Sequence, residues 1–116
     1  MTQDATAPAQ ELKIEILKSP EEIVFVCTGR ITAATSPQLK SAVHPLIPET
    51  KRIVVDLTGV NYIDSSGIGG LVSLWVSTKK AGRQLKLINL SERIKELLRV
   101  TNLSKVFEGD MEYLGM

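Results

Sequence analysis

The spacing of apolar and polar residues changes several times along the chain, and each change marks an element. Leu12, Ile14 and Ile16 alternate with Lys13 and Glu15, the period of a half-buried strand. Ser19-Pro20-Glu21-Glu22 supplies a turn, and the run Ile23-Val24-Phe25-Val26-Cys27 supplies a more central strand, paired with the first as a hairpin and ended by Gly29. Ser36-Pro37 reads as an N-cap followed by proline at the first helical position, where a missing N–H costs nothing. Leu39, Ala42, Val43 and Leu46 provide the apolar face of that helix. Pro45 cannot donate to the helix ladder, so the helix should end or kink near His44. Ile53-Val54-Val55 is β-branched and bounded by charge, which suits a strand covered on both faces.

From Ile68 the period becomes helical, with Ile68, Leu71, Val72 and Trp75 recurring at i, i+3, i+4 and i+7. This helix starts at about Ser66, buries Trp75 in the core, carries Lys79 and Lys80 in its last turn and uses Gly82 as a left-handed C-cap. Leu85, Leu87 and Ile88 make another strand. Ser91 caps a further helix, with Glu92 in its first turn, Ile94, Leu97, Leu98 and Thr101 on one face and Asn102 as the stop. Val106-Phe107 is expected as a short last strand. Two strands followed by alternating helices and strands define an α/β fold, a mixed sheet of four to five strands with helices packed on it. Residues 1–10 are small, polar and broken by Pro8, and predict a flexible N-terminal tail ahead of one domain over 11–116.

Composition narrows the function. The 116 residues suit a single core, and 43% hydrophobic with 23% charged residues is ordinary for a soluble globular protein. A formal net charge of +1 argues against direct nucleic-acid binding. No apolar run approaches the ~18 residues of a membrane span. The first residues lack the basic start and apolar centre of a signal peptide, so a cytoplasmic location is expected. Cys27 is the only cysteine, which excludes an internal disulfide, and its apolar surroundings predict a buried, inert thiol.

The chemistry concentrates where strand period gives way to helix period. Asp64, Ser65 and Ser66 stand there, where a side-chain oxygen accepts from an orphan N–H of the first turn. Gly67, Gly69 and Gly70 follow, although each glycine costs a helix about 1 kcal/mol relative to alanine. Bare backbone implies close approach, either by a neighbouring element or by a partner. Three glycines beside two serines on a positive helix end favour a docking surface at the carboxyl edge of the strands. Catalysis is not expected. Ser65 would need a base, and the lone His44 belongs to another helix. Gly67-x-Gly69-Gly70 lacks the spacing of a dinucleotide fingerprint, and no Cys, His or carboxylate cluster suggests a metal. Asp56 and Asp64 read as a strand-end residue and a cap.

Asp64-Ser65-Ser66-Gly67-Ile68-Gly69, preceded by Ile53-Val54-Val55-Asp56-Leu57 and Tyr62-Ile63, resembles the signature of the STAS domain. More narrowly, it is similar to that of the anti-sigma factor antagonists of bacterial partner switching. The resemblance covers nearly the whole chain beyond residue 10. It implies an unphosphorylated form that binds an anti-sigma factor kinase and frees sigma factor, as in stress responses. Phosphorylation at Ser65, with Ser66 as second choice, would reverse the binding; the kinase brings ATP, and a serine phosphatase resets the switch. A phosphate adds about −1.5 to −2 charge, which the helix start accepts and a partner docked beside Asp64 does not. Asp64, Ser65, Ser66, Gly67 and Gly69 are the implied partner surface. The family commonly carries an acidic pair, Gly-Glu-x-Asp, after its second strand. Here Gly29-Arg30-Ile31-Thr32 places Arg30 and Thr32 at the acidic positions, which implies a different charge pattern in the partner. Thr32 and Thr35 join Arg30 as interface candidates, beside a plainer reading as loop and capping residues. The alternative is a STAS subunit that is never phosphorylated, an interaction module of a transporter or other signalling complex.

Overall fold

The computed structural model describes residues 11–103, 105, 107 and 111–113. The alternating segments pair as a hairpin: β1 (Leu12–Lys18) runs antiparallel to β2 (Glu22–Ile31), with Ile14 opposite Cys27. α1 (Ser36–Val43) leads to β3 (Arg52–Ile63), which adds in parallel to β2. α2 (Ser65–Lys80) leads to β4 (Gln84–Leu90), and α3 (Glu92–Val100) precedes β5 (Met111–Tyr113), both strands again parallel to their neighbours. The sheet is mixed, five-stranded and in chain order, β1-β2-β3-β4-β5.

One side of the sheet holds the core. Phe25 and Cys27 of β2, Val55 and Leu57 of β3 and Leu87 of β4 are fully buried in one cluster with Val43 of α1, Leu71 and Leu74 of α2 and Leu98 of α3. Burying a side chain of this size contributes roughly 1.5–3 kcal/mol, which outweighs the glycine-rich start of α2. On the opposite face Val24, Val26, Asp56, Lys86 and Ile88 are half-buried. Val54 is closed there as well, at 4% exposure, beside Arg52, Lys86 and Ile88 and the Arg52–Glu22 ion pair at 2.9 Å.

Several boundaries differ from expectation. Gly29 bends β2 rather than ending it. Its φ of +118° and a break in register make a bulge, and a Cβ there would lie 2.1 Å from the Glu11 carbonyl oxygen. Arg30 and Ile31 therefore remain in the strand. Thr35, not Ser36, occupies the N-cap position of α1, leaving Ser36 as the first helical residue and Pro37 as the second. The Thr35 hydroxyl is already engaged with the preceding loop, and no side chain caps this helix. Past Val43 the chain tightens into a 3-10 segment, His44–Glu49, which accommodates Pro45 and Pro48; His44 is exposed.

The later helix ends follow the sequence more closely. Gly82 at φ +76° donates to the Lys79 carbonyl at 2.9 Å while Arg83 donates to that of Thr78 at 2.9 Å, the Schellman pattern. Asn102 at φ +62° ends α3 in the same way, and the Ser91 hydroxyl caps its start by accepting from the Ile94 amide at 3.2 Å. Phe107 is not in a strand. It lies in a turn, wholly buried, with its ring 6.3 Å from that of Trp75 in an edge-on arrangement. Its apolar character closes the helix layer, and the last strand falls at Met111–Tyr113. Val106 and the expected tail over residues 1–10 lie outside the described residues.

Burial, with a smaller push from the Asp56 carboxylate, raises the Cys27 thiol from 9.0 to about 12. The folded state favours the neutral thiol, so this stability is complete below pH 9.0 and is lost as pH rises toward about 12. At about pH 8 the native thiol should resist Ellman's reagent and react in full only after denaturation. Rapid labelling of native protein would show that the β2 core is open.

Candidate functional site

Parallel pairing brings the site together. Ile31 and Ile63 end β2 and β3 side by side, so the segments that follow them emerge at one edge. Asp64 donates its amide to the Ile31 carbonyl at 3.4 Å, and its Oδ1 accepts from the Gly67 amide at 2.9 Å. Asp64 is thus the N-cap of α2, Ser65 its first residue and Ser66 its second, both exposed. The amides of Ser65 and Ser66 belong to the first turn, where no intrahelical acceptor exists, and this end of the helix is electropositive.

The glycines separate into two kinds. A Cβ at Gly67 would lie 2.1 Å from the Ile31 carbonyl oxygen, and one at Gly70 would lie 1.9 Å from Ser36 Oγ. Glycine is required at 67, where the first turn of α2 presses on the backbone at the end of β2, while at 70 the neighbour is the Ser36 hydroxyl at the start of α1, which would have to turn aside. Gly69 faces outward, and a Cβ there would meet nothing within 4 Å. Its lack of a side chain is therefore not imposed by packing within the domain.

The neighbouring loop is built by its threonines. Thr35 Oγ1 donates to the Arg30 carbonyl at 2.8 Å and accepts from the Thr32 amide at 2.9 Å, while Thr32 Oγ1 accepts from the Ala34 amide at 3.1 Å. Thr35 is only 4% exposed, so it shapes the loop from within and offers no docking surface; Gly67 is buried as well. Asp64, Ser65, Ser66, Gly69, Arg30 and Thr32 remain as the accessible members of the expected set. Arg30 is exposed, with its guanidinium 4.4 Å from the centre of the Tyr62 ring. This arginine makes the loop's contribution to the surface positive.

Beside Ser65 lies a groove of about 560 Å³, with Tyr62 and Ile63 on one wall and Arg93, Leu97 and Val100 of α3 on the other. Arg93 and Val100 were not foreseen as site residues, because they approach Ser65 only through the order of the sheet. The available clue was the position of Arg93 just after the carboxyl end of a strand. Asp56 lies elsewhere, its Oδ1 accepting from the Thr58 hydroxyl at 2.6 Å, the Thr58 backbone amide at 2.9 Å and the Asn89 side-chain Nδ2 at 3.1 Å. Partial burial alone would raise its carboxyl, but those hydrogen bonds prevail and hold it below the usual carboxylate range. His44 borders a different hollow, with Lys40, Ser41 and Ser73. Among the described residues, no three His, Cys, Asp or Glu side chains are grouped to hold a metal ion, and no helix is long and apolar enough to cross a membrane.

A five-stranded sheet in this order, with a capped serine at the start of its central helix, defines a class, and the family model for the STAS domain matches residues 13–113. The chain belongs to the STAS-domain family. Within it, the chain is 30% identical over 97 residues to the anti-sigma-B factor antagonist of Bacillus subtilis, covering 84% of this chain and 89% of that one. It is 33% identical over 99 residues to the anti-sigma-B factor antagonist of Listeria monocytogenes, covering 84% and 87%. The fold matches the anti-sigma factor antagonist SpoIIAA in its unphosphorylated form, with a TM-score of 0.69 at 16% identity over 90% of this chain and 89% of that one. The phosphorylated form of SpoIIAA, from Bacillus, matches with a TM-score of 0.66 at 16% identity over 90% and 92%.

The two kinds of glycine should respond in opposite ways to alanine. Gly69→Ala is expected to raise stability by up to about 1 kcal/mol through helix propensity alone. Gly67→Ala should lower it by roughly 2 kcal/mol or more, since the helix must move off the Ile31 carbonyl. Urea unfolding of both variants checks this, and equal losses at the two positions would contradict an open position 69.

Proposed function

We propose that this protein is an anti-sigma factor antagonist whose unphosphorylated form binds an anti-sigma factor kinase and thereby frees sigma factor. Phosphorylation at Ser65 reverses that binding. The observation that carries this reading is the exposed Ser65 hydroxyl at the capped start of α2, on a helix held in place by contacts that do not involve Ser65. The relatives named as anti-sigma-B factor antagonists support it, as does the existence of SpoIIAA in both phosphorylated and unphosphorylated forms.

The chemistry is a transfer from ATP held by the kinase. The Ser65 Oγ–P bond forms as the bond from the γ-phosphorus to its bridging oxygen breaks. ADP leaves, and the hydroxyl proton passes to a base on the kinase. The antagonist is the acceptor and acts by binding. A phosphatase reverses the step by hydrolysis. The product carries about −1.5 to −2 charge beside Asp64. The electropositive helix start tolerates that charge within the domain. A partner packed on the same spot must instead desolvate a dianion next to a carboxylate, which costs far more than the free domain experiences. The bare backbone at Gly69 lets the partner approach α2 within its second turn.

Intact mass after incubation with the cognate kinase and ATP should show a single added phosphate, absent from Ser65→Ala. Ser65→Asp should weaken binding of the kinase tenfold or more, about 1.4 kcal/mol. Its melting temperature should stay within about 2 °C of the parent. Equal calorimetric affinity of Ser65→Asp and the parent would refute the mechanism; a phosphate that persists in Ser65→Ala and disappears in Ser66→Ala would move the switch by one residue.

A further inference from the structure

Among the described residues, no contact within the domain accounts for Arg93. It is exposed, the second residue of α3, and lines the same groove as Ser65. A cation in the first turn of a helix opposes the macrodipole, so α3 gains nothing from it. No carboxylate pairs with it among the described residues. Glu92 is bridged to Lys95 at 3.3 Å, and Glu96, which lines the groove as well, is bound by Arg99. Asp64, the other acid of the groove, accepts from the Gly67 amide. On the opposite wall Tyr62 carries Arg30 on its ring, and Arg30 too lacks a carboxylate partner among the described residues. The groove thus joins a serine hydroxyl to a guanidinium whose fork of N–H donors is not committed to any acid among the described residues.

Given phosphorylation of Ser65, on which this inference rests, the geometry points to Arg93 as the residue that receives the phosphate. The Ser65 phosphate turns into the groove and accepts a bidentate pair of hydrogen bonds from Arg93, and Arg30 adds positive charge from the opposite wall. The modification then acts twice on the docking surface. It introduces negative charge beside Asp64, and it withdraws a cation that would otherwise face an acidic group of the partner.

The test needs no kinase. Phosphoserine is placed at position 65 by genetically encoded incorporation, and the phosphate is titrated by phosphorus NMR. Pairing with Arg93 favours the dianion, so the midpoint should lie below the ordinary value of about 6. Arg93→Gln should raise it by about half a unit or more, and Arg93→Lys should restore part of the shift without the bidentate geometry. Arg30→Gln should move it less. Because Arg93 is exposed and pairs with no carboxylate among the described residues, the unphosphorylated Arg93→Gln protein should melt with its parent, which separates the effect from misfolding. Identical midpoints in the parent and Arg93→Gln, or a larger change from Arg30→Gln, would overturn the assignment. A normal shift with no phosphate transfer by the kinase would instead leave the phosphate receptor standing and remove the proposed function.

Discussion

The contact between the Gly67 backbone and the Ile31 carbonyl governs the rest of this structure. It brings the first turn of α2 onto the end of β2, closer than any side chain would permit. The approach fixes three segments at once: the end of the central parallel pair, the loop that Thr35 ties to the Arg30 carbonyl, and the capped helix start. Ser65 stands two residues from this contact and takes no part in the packing beneath it. The domain can therefore hold its hydroxyl in place rigidly while leaving it fully available.

Electrostatics around that hydroxyl are asymmetric. The helix end and the two arginines present positive character, while the carboxylates nearby are committed: Asp64 to the Gly67 amide and Glu96 to Arg99. A surface of this kind is suited to receive an anion. An anion placed there would lie outside the buried cluster, where water and the α2 amides can share its charge.

Most of the architecture was legible because its signals are local. The strand over Leu12–Ile16, the switch to helical period at Ile68 and the Gly82 and Asn102 stops all depend on neighbours in sequence and all form, although the expected burial reaches only Leu12 and Ile14 and leaves Ile16 exposed. The failures share the opposite cause. Gly29 reads as a stop, but its role is set by the Glu11 carbonyl across the hairpin. Phe107 reads as strand, but it packs edge-on to Trp75 some thirty positions earlier. Ser36 reads as a cap, but it is buried against Gly70. The site was legible in the same proportion. Asp64 and Ser65 lie together in the chain, whereas the groove formed with Arg93 exists only because β3 and β4 are neighbours.

Gly69 stands apart from the other two glycines of its helix, because nothing inside the domain asks for it. Residues held by the fold and residues held by a relationship with another molecule drift differently through evolution. A methyl group at 67 would collide with the Ile31 carbonyl, whereas one at 69 would enter open space, so the same helix holds a position closed to change and, two residues on, one that is free to gain stability.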